Sequence, residues 1–293
     1  MNLFSLLDRL GCADALPAAT PRRHLLHRLG RASALAAAAA LPLAALPAQA
    51  APTDTSLDAT TLLLKLEDLL SAFYAQALAG PVLANPAQAA VRPDFERLYR
   101  HQQGHAQFLR GALQGAGLTP PAAPRFDFSG RRNNPTNPEL FPGVMTDYGA
   151  FLQLAQQLED ASAAIYLNQA NSFTADKQLL DAVLRMQTVE ARHASHVRTL
   201  RRAAGVAVKS WPSTADPAPS PAVLVPSPAG SGAAPVSPYT FEANETQVVS
   251  GTNAVPFATV LTGTNAVQFR AFAEAFDEPL PTAQATALLN IFG

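Results

Sequence analysis

The chain of 293 residues is predicted to be all-α, a four-helix bundle with a long crossover between its second and third helices and a small C-terminal module. Three observations predict this. Four long segments carry apolar residues at helical spacing, and none of them alternates as a strand would. The breaks between the first pair and the last pair are short or medium, whereas the middle one is long and rich in proline. Carboxylates and imidazoles also fall on the apolar stripes themselves, at matching heights in the four segments.

The first fifty residues read as an export signal that does not enter the fold. A basic cluster (Arg22, Arg23, Arg28, Arg31) precedes an uncharged, alanine-rich run from Ala32 to Ala50, which ends in the cleavage signal Ala48-Gln49-Ala50. The stretch Thr20-Pro-Arg-Arg-His-Leu-Leu is similar to a twin-arginine signal, so the mature chain is expected to begin at Ala51 and to work in the periplasm or cell envelope. The only cysteine, Cys12, is lost with that segment, which leaves no disulfide and no thiolate ligand. Cleavage removes five of the 21 basic and two of the 22 acidic residues, leaving 16 against 20. That balance excludes nucleic acid as a favoured partner, and no transmembrane span is expected in the mature chain.

The bundle is expected over 51–206, with helices at Ser56–Ala79, Pro93–Gly115, Thr146–Asn171 and Thr174–Ala204. Gly80, Pro81 and Pro86 break the first pair, and Asn171-Ser172-Phe173-Thr174 break the second. From Leu118 to Met145 the prolines at 120, 121, 124, 135, 138 and 142 forbid helix, and so long a link lets the second and third helices run parallel. Residues 207–238, rich in Ala, Pro and Ser, read as a linker with too little to bury. The module at 239–293 carries a doubled unit, Ser250-Gly-Thr-Asn-Ala-Val-Pro-Phe257 and Thr262-Gly-Thr-Asn-Ala-Val-Gln-Phe269. Two short amphipathic helices follow, at 267–276 and 281–292, and are expected to dock on the bundle.

In the fourth helix the stripe Leu179, Val183, Met186, Glu190, His193, Val197, Leu200 advances in alternating steps of four and three, which turns Glu190 and His193 inward. The first helix reads Leu63, Glu67, Leu70, Tyr74, and the third Leu152, Ala155, Glu159, Ser162, Tyr166, each with a tyrosine seven positions after its glutamate. The second reads Phe95, Leu98, Gln102, His105, Leu109, Ala112, so Gln102 and His105 stand where Glu190 and His193 stand in the fourth. Lone buried carboxylates cost several kcal/mol each, and converging ones repel. No Lys or Arg falls near them on these stripes, so protons or bound cations must neutralise them, and the imidazoles favour cations.

One inward Glu on two helices, with Glu-x-x-His on the others, resembles the ferritin-like di-iron carboxylate proteins. The segments Leu66-Glu67-Asp68-Leu69-Leu70-Ser71-Ala72-Phe73-Tyr74 and Val189-Glu190-Ala191-Arg192-His193-Ala194, and the tail Ala275-Phe276-Asp277-Glu278-Pro279-Leu280, are similar to exported bacterial ferritin-like proteins of the desiccation-related branch. The resemblance implies metal ligation by Glu67, His105, Glu159, Glu190 and His193, with Gln102 in the place of a sixth ligand. It implies one or two divalent ions, iron or manganese, and a role in oxidative or desiccation stress. The ion nearer the complete Glu190/His193 pair is expected to bind more tightly. A metal-free structural or partner-binding envelope protein is the alternative, and self-association as a homo-oligomer is compatible with either.

Overall fold

The computed structural model describes residues 54–217, 219, 239, 242, 246–250, 253–259 and 266–293. The segment expected to be an export signal, 1–50, and most of the expected linker, 218–238, lie outside the described residues. The bundle helices are α1 (Asp54–Ala79), α2 (Arg92–Gly115), α3 (Tyr148–Gln169) and α4 (Lys177–Ala203). Asp147 caps α3 by accepting from the Ala150 amide at 2.7 Å. Asp176 caps α4 by accepting from Gln178 and Leu179, so this helix starts after Asp176 rather than at Thr174.

Contacts between side chains fix the helix directions. Arg92 and Arg110 of α2 reach Leu78 and Asp68 of α1, which makes that pair antiparallel. Tyr166 of α3 meets Met186 of α4 and Arg198 of α4 meets Asp160 of α3, so the second pair is antiparallel too. Tyr74 of α1 reaches Glu159 while Tyr166 reaches Glu67, so α1 opposes α3. It follows that α2 and α3 are parallel, as the long crossover requires.

The crossover is packed rather than looped out. Its Phe128 and Phe141 are buried, and both meet Phe292 near the C-terminus, with ring centroids 5.8 and 5.5 Å apart. Gly130 sits at φ 76°, where a Cβ would stand 2.7 Å from that of Leu140, so no other residue fits this turn.

Beyond α4, the residues assigned to the linker begin as part of the bundle. Arg198 donates to the Trp211 carbonyl and to Asp216, which holds 209–216 against α4. Farther on, β1 (Thr246–Ser250) pairs antiparallel with β2 (Asn253–Pro256), a hairpin that the all-α expectation for the module did not include. The doubled octapeptide does not fold alike in its two copies: Ala254-Val255 lies in β2, whereas Ala266-Val267 opens α5 (Ala266–Ala273). The copies differ at Ser250 against Thr262 and at Pro256 against Gln268, and Pro256 ends β2. The last helix, α6 (Thr282–Leu289), buries Ala285, Leu288 and Leu289 in the bundle core. No described helix is long and apolar enough to cross a membrane.

Candidate metal centre

The four helices bring Glu67, Gln102, His105, Glu159, Glu190 and His193 together at mid-height. The three glutamates and Gln102 are fully buried, and His193 nearly so. Two donor triads form, Glu67/His105/Glu190 and Glu159/Glu190/His193, each with one ligand atom per residue lying within 4.8 Å of the others. Glu190 belongs to both.

Hydrogen bonds around the triads are crossed between helices. Tyr166 donates to Glu67 Oε1 and Tyr74 to Glu159 Oε1, each at 2.5 Å. Gln102 Nε2 donates to Glu190 Oε2 at 3.0 Å and to Glu159 Oε1 at 3.4 Å, and Ser162 adds a second donor to Glu190 Oε2 at 3.2 Å. This orientation of the amide is the physical one, since the reverse would face its oxygen to two carboxylates. His101 Nδ1 lies 2.9 Å from His193 Nε2, with the rings stacked. It engages the outer nitrogen of His193 and leaves Nδ1 to the carboxylates.

What remains unpaired differs between the triads. Glu67 Oε2, Glu190 Oε1 and His105 Nδ1 are buried with no hydrogen-bond partner. His105 Nδ1 is 2.9 Å from Glu190 Oε1, yet without the alignment a hydrogen bond needs, so proximity does not satisfy either atom. In the other triad only Glu159 Oε2 is orphaned. Buried polar atoms without partners are rare in folded proteins, and three of them on the residues of one triad fit a cation.

Without a cation, protons balance the cluster, and a bound ion would have to displace them. Burial first, and then Glu190, push the Glu67 carboxyl up to about 7; burial also raises Glu159 to about 7, against the pull of His193. Burial opposes charge on the two imidazoles as well, but the glutamates outweigh it and raise both to about 10. Burial would raise Glu190 too; His105 and His193 overcome it and hold this carboxyl well below the usual range. Without metal the cluster is thus an ionised Glu190 between two imidazolium rings.

A pH dependence follows. Glu67 and Glu159 hold their protons more tightly in the folded chain, so they contribute stability below the ordinary 4.5 that is lost as pH rises through about 7. The two histidines contribute stability below 6.5 that is lost towards about 10. The metal-free protein should therefore lose melting temperature from pH 6 to pH 9, while a bound cation, which competes with those protons, should raise it more at pH 8 than at pH 6. Thermal melts with and without metal check this; equal shifts at both values would refute it.

Sequence reasoning missed one layer. Asp68 and Asp160 each follow an inward glutamate and are buried, and each is held by an arginine: Arg110, 2.7 Å from Asp68, and Arg198, bidentate to Asp160 at 2.8 and 2.7 Å. The signal was present as Glu-Asp on α1 and α3, with an arginine eight residues after Gln102 on α2 and after Glu190 on α4.

The ferritin-like domain family is matched by residues 55–203. The chain belongs to that family. Among solved structures it is similar to a ferritin-like, diiron-carboxylate protein from Bacillus anthracis str. Ames, with 18% identity and a TM-score of 0.41, over 51% of this chain and 99% of that one. No curated protein matches. None of these comparisons assigns a ligand to the ferritin-like domain of this chain.

Proposed function

We propose that the ferritin-like domain binds a divalent metal ion, iron or manganese, between Glu67, His105 and Glu190, with a weaker second position at Glu159, Glu190 and His193. The carrying observation is the set of three orphaned donor atoms, Glu67 Oε2, His105 Nδ1 and Glu190 Oε1, on the three residues of one triad in a buried core. This reverses the order expected from sequence. The amide of Gln102 donates to Glu159 Oε1 and to Glu190 Oε2, both in the triad of His193, so it weakens the position whose Glu-x-x-His pair is complete.

A bound ion of this kind would supply one-electron chemistry towards iron or reactive oxygen species, in keeping with a role in oxidative or desiccation stress. The chain's own groups hold the ligands. Tyr166 and Tyr74 fix one oxygen of Glu67 and of Glu159, Ser162 and Gln102 fix one of Glu190, and His101 sets the ring of His193. No residue is assigned a catalytic role.

Elemental analysis after loading tests the reading. The wild type should hold about one ion per chain, and Gln102→Glu, which restores a carboxylate and removes a competing donor, should approach two. A metal-free structural or partner-binding role is favoured by one observation, that Gln102 already satisfies part of Glu190 and Glu159 without any ion. If neither protein binds metal and neither melting curve shifts, that role replaces the proposal.

The reading extends to location. Arg22-Arg23, the apolar run and Ala48-Gln49-Ala50 support export of the mature chain to the periplasm or envelope. N-terminal sequencing should find Ala51 first; a mature protein that retains Arg22-Arg23 would overturn it.

A further inference from the structure

A second cluster of carboxylates lies outside the metal centre, where the segment after α4 and the tail beyond α5 meet the outer face of α3 and α4. They surround a cavity of about 220 Å³ whose walls include Asp160, Glu242, Glu274 and Asp277 together with Trp211 and Phe276. Two of these carboxylates are compensated. Arg198 holds Asp160, while Lys209, at 2.6 Å, and Ser213 hold Glu274. The other two are not. Glu242 is only 6% exposed, lines the cavity, and has no side-chain hydrogen bond or ion pair among the described residues. Asp277 likewise has no ion pair among the described residues.

The chain itself has little to offer them. Between Lys209 and Arg270 there is no lysine, arginine or histidine, so the linker cannot bring a cation to the cavity whatever path it takes. The basic residues before Ala51 belong to the segment expected to be removed. Burial, then Asp277 and Glu278, raise Glu242 to about 8, as expected of a carboxyl that lacks a counter-charge.

The walls indicate the kind of cation. No metal-holding group of three ligands forms here among the described residues, because the carboxylates are spread around a space that would hold several waters. Trp211, whose ring carries the Lys209 ammonium 5.8 Å from its centroid, and Phe276 are exposed, at 51% and 39%, and both line the same space. Aromatic faces beside acceptor-only carboxylates suit an alkylammonium ion, whose methylenes lie on the rings while its N–H groups donate to the acids.

We propose that this cavity binds a small primary alkylammonium ion, such as one end of a short diamine, with Glu242 as its main counter-charge and Asp277 as the second. Binding would draw a proton from Glu242, and it is independent of the metal centre.

Titration calorimetry of the whole mature protein with 1,4-diaminobutane at pH 7 tests this. Saturable binding is expected, with proton release seen as a dependence of the heat on the buffer's ionisation enthalpy. Glu242→Gln should weaken it at least about tenfold and abolish the proton release, and Asp277→Asn should weaken it less. Asp181→Asn, an exposed acid on α4 paired with Arg185, should leave it unchanged. Because Glu242 is unpaired without ligand, Glu242→Gln should melt no lower than wild type, so a loss of binding would not reflect misfolding. No binding by wild type, equal binding by Glu242→Gln, equal loss in Asp181→Asn, or preference for calcium over the diamine would each overturn the proposal.

Discussion

Replacing Glu190 by alanine is expected to abolish metal binding altogether, by more than about 100-fold in affinity, because Glu190 is the one carboxylate shared by both donor triads. Glu67→Ala should instead remove the tighter ion and leave the weaker position intact. The metal-free protein should not gain stability from Glu190→Ala, although relief of repulsion among three glutamates might have been expected from sequence. His105 and His193 hold Glu190 ionised, so its loss leaves two buried imidazoles without their main partner, at about 1–3 kcal/mol. Elemental analysis and metal-free melts on the two variants check both halves. Retention of one tightly held ion in Glu190→Ala would refute the shared-ligand arrangement.

The second large effect concerns the arginine layer. Arg198 is fully buried, bidentate to Asp160, bound to Asp216 at 2.6 Å, and stacked under the Tyr239 ring at 5.2 Å. Tyr239 in turn donates to Asp160 at 2.7 Å, and Gln156 joins Tyr239 to Arg201. Arg198→Met leaves Asp160 and Asp216 as uncompensated charges in a nearly closed site, which costs about 3–5 kcal/mol. In a folded unit of this size that lowers the melting temperature by about 10 °C or more. The equivalent change on α2, Arg110→Met, meets a pair whose arginine is one-third exposed, and should cost about 1 kcal/mol or less. Thermal unfolding followed by circular dichroism separates them; equal losses would show that burial does not decide the value of these pairs. Because Arg198 also holds Trp211 and Asp216, its loss should open the start of the linker to proteases, whereas Arg110→Met should not.

Much of this was legible in the sequence because the bundle has a strong period. Inward glutamates interrupt stripes that are otherwise Leu, Val and Phe, so Glu67, Glu159, Glu190, His105 and His193 could be placed on inner faces from spacing alone, and the structure brings them together. The crossover was legible for a different reason, since its prolines exclude helix. Three features were not. The direction of the Gln102 amide depends on which carboxylate lies across the core, which no single helix reveals. Arg198 reads as one of several basic residues near the end of α4, and only Asp160 on α3 and Asp216 beyond the helix turn it inward. The β-hairpin hid in a Gly/Thr/Asn-rich repeat whose two near-identical copies place Ala-Val in a strand in one and in a helix in the other, which local sequence does not distinguish.

Anomalous diffraction at the iron edge, from crystals of protein loaded with one equivalent of ferrous iron, tests the central claim most directly. A single peak within ligand distance of Glu67, His105 and Glu190 is expected, with a weaker one beside Glu159 and His193 only when iron is in excess. No peak in the core, or first occupancy beside Glu159 and His193, would contradict the account.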